Sequence, residues 1–472
     1  MILSQLADIV GREEVSTAQP DRLVYAIDHY WLPEMWVDRG LKPVLPDFVV
    51  RPQTPEQVSR LLQLANMHRI PVTPWGGGSG SQGGALPLWG GILLDTKRLN
   101  RILEVDEQSL TLTAQAGVNG QQLEWAANQK GLTVGHYPAS QRASTLGGWL
   151  GPRGSGTLST KYGKAEDMAL SLQVVLPTGE IIRTLPTPSH ATGPSLLQLF
   201  VGSEGTLGVI TEATLRADPL PEERRFRSFL FEDLATGLEA GRRIMTARLR
   251  PMVMRLYDEV STIKQVKRVL GLSVEGAYMV LGFDGFKEFV DLEEAKVRQI
   301  CADLKATDLG AEAGWTWWNH RYDFYFPPRL KSLPRLYGTT DTVATFKNIR
   351  QIYDAKKQVI EEKYREWNAY YLAHFSHWYP WGVMVYDQFF VDKPPDDPEQ
   401  AFLLHNQIWA DAARASIANG GVLNEHHGIG MKLGWLMPEQ YGPAWPAMQK
   451  IKDALDPNGI MNPGKLGFAV RF

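Results

Sequence analysis

The chain has 472 residues, 44% hydrophobic and 21% charged, with a formal net charge of −3. That length asks for two or three domains rather than one core, and the near-neutral balance argues against nucleic acid as a partner, since gripping phosphates needs a basic surplus. A single cysteine, Cys301, rules out an internal disulfide framework and most thiolate metal sites, and fits a reducing, cytoplasmic setting.

No apolar run of about 18 residues is present, so no transmembrane segment is expected. The N-terminus carries neither a basic region nor a cleavage site, so it does not read as a signal peptide. Ile2, Leu3, Leu6, Ile9 and Val10 fall on one helical face that Gly11 ends, which predicts a docked helix, with a membrane-surface anchor as the alternative. Residues 46–50 read as a strand. Thr54 then caps a helix that opens on Pro55, with Gln57 placed for a capping box. Short strands follow at 70–75, 91–95 and 109–116, and a helix at 120–129 stopped by Gly131. From Met168 to Arg183 the pattern is again β, turning at Pro177–Glu180. Beyond Pro219 the texture shifts to long helices, 288–304 and 349–368, alternating with aromatic β segments. Six of the fifteen tryptophans fall between Trp315 and Trp381. A helix at 444–455 and the turn Asp456-Pro457-Asn458-Gly459 complete the tail. The expected division is 1–218, 219–415 and 416–472, with an α+β fold.

Three Gly/Ser/Thr loops stand out in the first region. Gly78-x-Gly80-x-x-Gly83 matches the dinucleotide fingerprint, but that fingerprint has to open a helix. Here Ala85-Leu86-Pro87-Leu88-Trp89-Gly90 follows, which no helix tolerates. A glycine run can still form a nest of N–H groups around a pyrophosphate. Residues 140–149 form a second small-residue loop, and Gly202-Ser203-Glu204-Gly205-Thr206-Leu207-Gly208, ahead of Val209-Ile210-Thr211, a third. Three such loops suit a ligand that threads between elements and needs close backbone approach. A plain flexible loop remains the alternative for the first run taken alone.

These strings, together with Pro74-Trp75-Gly76-Gly77-Gly78-Ser79 and the tail Asn462-Pro463-Gly464-Lys465, resemble the vanillyl-alcohol oxidase, or PCMH-type, flavoprotein superfamily. The resemblance covers about 40–472 in the family's order. It implies FAD in a two-subdomain PCMH-type domain, followed by an α+β substrate or cap domain with an antiparallel sheet, and a C-terminal segment returning to the flavin. Carried over residue by residue, it puts Pro74, Trp75, Gly76, Gly77, Gly78, Ser79, Gly80 and Ser81 on the pyrophosphate. Pro138, Ser140, Ser144, Thr145, Gly147, Gly148 and Trp149 join them there. Glu204, Gly205, Gly208, Val209 and Ile210 fall near the isoalloxazine and ribityl chain, with Asn462 supporting them from the tail. Ser79 stands where some relatives attach flavin through His, so non-covalent FAD is expected.

Two branches bracket the chain. D-2-hydroxy-acid dehydrogenases hold a divalent metal with a His-rich loop and a Glu-His-Gly segment. Here the loop ends are Tyr379 and Tyr386, and the Glu position is His426, so no metal is expected. Alkyldihydroxyacetonephosphate synthases, which transfer an alkyl group through a flavin adduct, look similar at His136, Pro138, Trp149, Arg255 and His426-His427-Gly428. That similarity implies Tyr379 as acid/base, His426 and His427 assisting proton transfer, and His136 lining the pocket. Arg255 would bind an anion or hold the site together, and a buried structural salt bridge is its alternative. Arg321 is the best anchor for an acidic substrate. Trp315, Trp317, Trp318, Tyr322, Phe324, Tyr325 and Phe326 read either as a core or as the wall of an aromatic or lipid-like substrate pocket. The expected enzyme is therefore an FAD-dependent oxidoreductase on a hydroxyl-bearing small molecule. The synthase-like transferase is the alternative. The electron acceptor is left open, as is a homodimer.

Overall fold

The computed structural model describes residues 1–38, 40, 42–324 and 336–471. The chain divides into two compact units. Met1–Ser155, Lys164–Pro219 and the segment from His426 onward form the first, and Gly156–Gly163 with Leu220–Glu425 the second. No helix among the described residues is long and apolar enough to cross a membrane.

The first unit opens on helix α1 (Ile2–Val10). Its buried Leu6 and Val10 join one apolar cluster with Val58, Leu61 and Leu62 of α2 (Pro55–His68), so α1 is docked on a core. Gly11 ends it at φ 98°. At the start of α2 the Thr54 hydroxyl accepts from Gln57 N at 3.2 Å, as the cap motif predicts. The reciprocal bond lands one residue early, from Gln53 N to Gln57 Oε1 at 2.7 Å, so the chain is pinned just outside the cap.

Strands β1 (Val15–Ser16), β2 (Phe48–Val50), β3 (Val72–Trp75) and β4 (Ile92–Asp95) form a sheet in the order β1-β2-β4-β3. β4 runs parallel to both β2 and β3. The tail extends this sheet past β3: Val72 N donates to Ile460 O at 2.8 Å and Asn462 N to Val72 O at 2.8 Å. Asp456 shapes that return, its carboxylate accepting from Ile460 N and Met461 N while pairing with the buried Lys452. A second sheet is antiparallel. It comprises β5 (Ile102–Asp106), β6 (Thr111–Gln115), β7 (Ala169–Val175), β8 (Ile181–Arg183) and β9 (Val209–Arg216), ordered β5-β6-β9-β7-β8. Helix α3 (Gly120–Asn128) and the short α4 (Leu146–Leu150), capped by Thr145, belong to the same unit.

The second unit is built on a seven-stranded antiparallel sheet. Its strands are β10 (Glu223–Phe231), β11 (Val253–Tyr257), β12 (Ala277–Gly285), β13 (Thr307–Leu309), β14 (Leu336–Thr345), β15 (Ala369–Tyr379) and β16 (Gly382–Val391). They are ordered β13-β10-β12-β11-β15-β16-β14. Helices α5 (Leu234–Thr246), α6 (Lys287–Asp303), α7 (Gly310–His320), α8 (Ile349–Gln358) and α9 (Pro398–Ala418) accompany it, and α10 (Trp445–Leu455) belongs to the tail of the first unit.

The sequence predicts one helix over 349–368. The regular α-helix ends at Gln358 instead, widens to a π turn over Val359–Lys363, and closes on Asn368 in the left-handed region at φ 54°. The wider turn keeps Ile360 buried, and Asn tolerates the left-handed stop.

Helix α7 carries much of the aromatic cluster. Trp317 is fully buried and donates its indole N–H to Tyr257 Oη at 2.9 Å, and Trp318 stacks on Phe226 of β10 at 4.9 Å. Trp317 is core, and Trp318 is half-buried beside it. Trp315 packs edge-on to Phe226 and stays 39% exposed. Tyr325 and Phe326 lie outside the described residues.

Candidate functional site

The first unit contains an open cleft of about 950 Å³, its solvent-filled mouth included, built from the three glycine loops. Pro74 to Gly80 form one side, Thr145, Gly147 and Gly148 a second, and Ser203 to Gly205 with Gly208 to Ile210 a third. His427 of the tail completes the wall. The loops touch so closely that side chains cannot be accommodated. A Cβ on Gly77 would sit 2.1 Å from Ala143 O, and one on Gly76 would sit 2.4 Å from Thr145 Oγ1. Gly78 turns the first loop at φ 62°.

Several candidates stand behind this wall rather than on it. The Ser144 hydroxyl donates to Ser140 O at 2.9 Å and accepts from Trp149 Nε1 at 2.8 Å, which rigidifies the second loop. Gln141 N donates to Pro138 O at 3.0 Å in the preceding turn. Ser81 lies just past the wall-forming stretch of the first loop. Asn462 donates to Gly84 O at 2.9 Å and to Glu204 O at 2.7 Å, tying the first and third loops together. His136 is buried against Trp149, ring centroids 4.4 Å apart, and does not line this cleft.

Glu204 is the one carboxylate on the wall, held at φ 49°. Its two oxygens accept from Ile429 N at 2.6 Å and Gly430 N at 2.8 Å, joining the third loop to the tail. Burial pushes its carboxyl up to about 7 against those two N–H groups and the Lys465 ammonium. Burial likewise pulls Lys465 down to about 7 and raises Asp28 to about 7. Among the described residues no Lys or Arg lines the cleft, so an anionic ligand there would be held by backbone N–H groups and hydroxyls.

Gly77→Ala is expected to lose FAD retention at least about tenfold, because the new methyl meets backbone of the second loop rather than a movable side chain. Flavin content per chain after gel filtration checks this; retention within twofold of wild type would show that the loops part easily.

The other candidates belong to the second unit. Tyr379 ends β15, and a two-residue turn, Pro380-Trp381, closes a hairpin in which Tyr379 pairs with Gly382. Tyr386 is therefore not at a loop end. It sits within β16 opposite His374 and stacks on it at 4.8 Å. A bulge between Phe375 and Trp378 resets the alternation of β15, leaving both His374 and His377 buried. Tyr379 donates its phenol proton to Glu425 Oε1 at 2.5 Å and stacks on Trp381 at 5.0 Å. His377 Nδ1 meets Glu425 Oε2 at 3.0 Å. Glu425 N donates to Asp341 Oδ2 at 2.8 Å, and Asn424 Nδ2 to Asp341 Oδ1 at 2.8 Å. Sequence reasoning missed Glu425, because the string Glu-His-His-Gly drew attention to its histidines. His426 and His427 lie ring against ring at 3.8 Å in the first unit.

Arg255 is buried in β11, over Trp317 at 5.4 Å. Arg321 caps the end of α7, its guanidinium 3.7 Å over Trp318 and 4.3 Å over Tyr322, with Nη1 donating to Trp318 O at 2.5 Å.

Comparison with known proteins gives a consistent picture. Residues 46–185 match the family described as FAD binding domain, and residues 220–466 that described as FAD linked oxidases, C-terminal domain. The chain is 30% identical over 499 residues to an alkyldihydroxyacetonephosphate synthase of Trypanosoma brucei brucei, covering 98% of this chain and 80% of that protein. It is 30% identical over 486 residues to an uncharacterized FAD-linked oxidoreductase, YgcU, of Escherichia coli K12, covering 98% of each. A solved alkyldihydroxyacetonephosphate synthase aligns with a TM-score of 0.80 at 27% identity, over 98% of this chain and 84% of that one.

Proposed function

We propose a reaction on the premise that the chain belongs to the FAD-linked oxidases: it oxidises a hydroxyl-bearing organic substrate by hydride transfer to FAD. The fold is the PCMH-type FAD-binding fold, and FAD is the cofactor. The cleft of the first unit fits that group. Its closest loop contacts leave no room for a Cβ at Gly76 or Gly77, and the absence of lysine and arginine from its wall suits a phosphate bridge bound by N–H groups. Gly76 to Ser79 with Thr145, Gly147 and Gly148 would hold the pyrophosphate, and Gly205 with Gly208 to Ile210 the ring side. When bound, FAD supplies a two-electron acceptor.

The observation that carries the reading is the short list of proton-exchanging side chains on the cleft wall. They are Glu204 and His427, and both Glu204 oxygens are already engaged by Ile429 and Gly430. His427, with His426 beside it, is the imidazole on the wall and is given the task of handling a proton at the cofactor. In the second unit, Tyr379 takes the hydroxyl proton of the substrate. Arg321 anchors an acidic substituent, its guanidinium oriented by two aromatic faces.

Anaerobic mixing with alcohols, phenols and 2-hydroxy acids is expected to bleach the flavin with at least one class. A panel that never reduces it defeats the reading. Alkyl transfer of the synthase type is the second reading, favoured by the paired His426-His427 ahead of Gly428 and by the synthase similarity. It predicts product formation without any electron acceptor, and strict dependence on an acceptor excludes it.

A further inference from the structure

We infer that Glu425 is the group to which Tyr379 passes its proton, with His377 and Asp341 holding Glu425 in register for that transfer. The inference rests on the proposed role of Tyr379 toward the substrate hydroxyl.

Glu425 is constrained at every polar atom described above. Oε1 accepts the Tyr379 proton at 2.5 Å, Oε2 meets His377 Nδ1 at 3.0 Å, and its backbone N–H is fixed on Asp341 at 2.8 Å. The groups facing it come from two strands: His377 and Tyr379 on β15, and Asp341 on β14. The carboxylate side chain is 1% exposed and that of His377 5%. A buried carboxylate needs hydrogen-bond donors to remain charged, and here one donor is a phenol only partly buried at a strand end. The tyrosine thus has one oxygen with two tasks. It gives a proton inward to a fixed acceptor, and in its proposed acid/base role it takes one from the substrate hydroxyl.

The proton count closes. The substrate O–H bond breaks and its proton goes to Tyr379 Oη, while the proton of Tyr379 goes to Glu425 Oε1. The C–H electron pair leaves as hydride to FAD. The alcohol becomes a carbonyl, Glu425 becomes a neutral acid, and Tyr379 carries no charge at the end. Glu425 is a positioning and proton-storing residue, since it acts through Tyr379.

Glu425→Gln in the FAD-loaded full chain tests this. Glutamine still accepts the Tyr379 hydrogen bond but cannot take the proton. Turnover at neutral pH is expected to fall by about 10–100-fold. The deficit is expected to shrink as pH climbs toward the tyrosine range, near about 10, where Tyr379 ionises unaided. The second readout needs no turnover: tyrosinate absorbance, taken as the difference from Tyr379→Phe, is expected to titrate at lower pH once the carboxylate is gone. A pH–rate profile within twofold of wild type throughout, with an unmoved tyrosinate titration, overturns the inference. If no substrate bleaches the flavin, the reaction reading fails while the tyrosinate titration still decides the Tyr379–Glu425 relation. Should the glutamine variant not fold, Glu425→Asp keeps the carboxylate, so its acid limb is expected to persist at reduced rate; loss of that limb counts against the inference.

Discussion

Tyr379→Phe is expected to lower turnover by about 10²–10⁴-fold while leaving FAD content at the wild-type value and lowering the thermal midpoint by only a few degrees. The substitution removes one oxygen and leaves the ring, which keeps its stack on Trp381 at 5.0 Å. The hairpin is held by backbone pairing from Ala369 through Tyr379 and does not need the hydroxyl. What is lost is the donor to Glu425, whose other oxygen still has His377. Removing one donor from a buried carboxylate costs about 1–3 kcal/mol at that atom, and protonation of Glu425 is the relief open to it. Steady-state rates with the best substrate of the bleaching panel, alongside flavin content, give the answer. A phenylalanine variant with full FAD and more than about a tenth of wild-type turnover would remove Tyr379 from the chemistry.

The cofactor half of the site was legible in the sequence because its requirement is steric and local. Gly76 and Gly77 are glycine because a second loop lies where a Cβ would be, and the same strings carry the family resemblance. The Thr54 cap and the Gly11 stop were legible for the same reason, being decided within one turn of chain. The substrate half was less so. Tyr379, His377 and Glu425 meet across 46 to 48 residues of separation, and a bulge between Phe375 and Trp378 breaks the simple alternation of β15. Gly156–Gly163 belongs to the second unit although it lies inside the first in sequence, which no composition shift marks. Lys465 and Asp28, buried together with Glu204, are ordinary charges in the sequence. Their common displacement toward neutrality follows only from burial.

Asp387→Asn is expected to destabilise the second unit by about 3–5 kcal/mol, the largest effect on folding among these variants. Asp387 and Lys356 form an ion pair at 2.6 Å with 0% and 1% side-chain exposure. Asp387 also accepts from Tyr371 on β15 at 2.8 Å and from Thr340 on β14, so one carboxylate on β16 binds three strands to α8. Asparagine keeps an acceptor but strands the Lys356 charge in the interior, where no water can solvate it. Lys356→Met is expected to cost less. Burial already pushes the Asp387 carboxyl upward, so without its ammonium partner Asp387 takes a proton and keeps both hydroxyl donors. The sign of the pH dependence follows: a carboxyl raised in the folded state adds stability below its unfolded value, near about 3.9, and loses it as pH rises through the folded value. Lys356→Met is therefore expected to regain stability on acidification from neutral pH, whereas Asp387→Asn has no such carboxyl. Urea midpoints at several pH values separate the two. A double variant that restores much of the loss shows the coupling directly; simple additivity, or a cost below about 1 kcal/mol for Asp387→Asn, means that the pair is incidental. The neighbouring residue, Asp341, fixes Glu425, so the strands this pair locks are those that set the Tyr379–Glu425 distance.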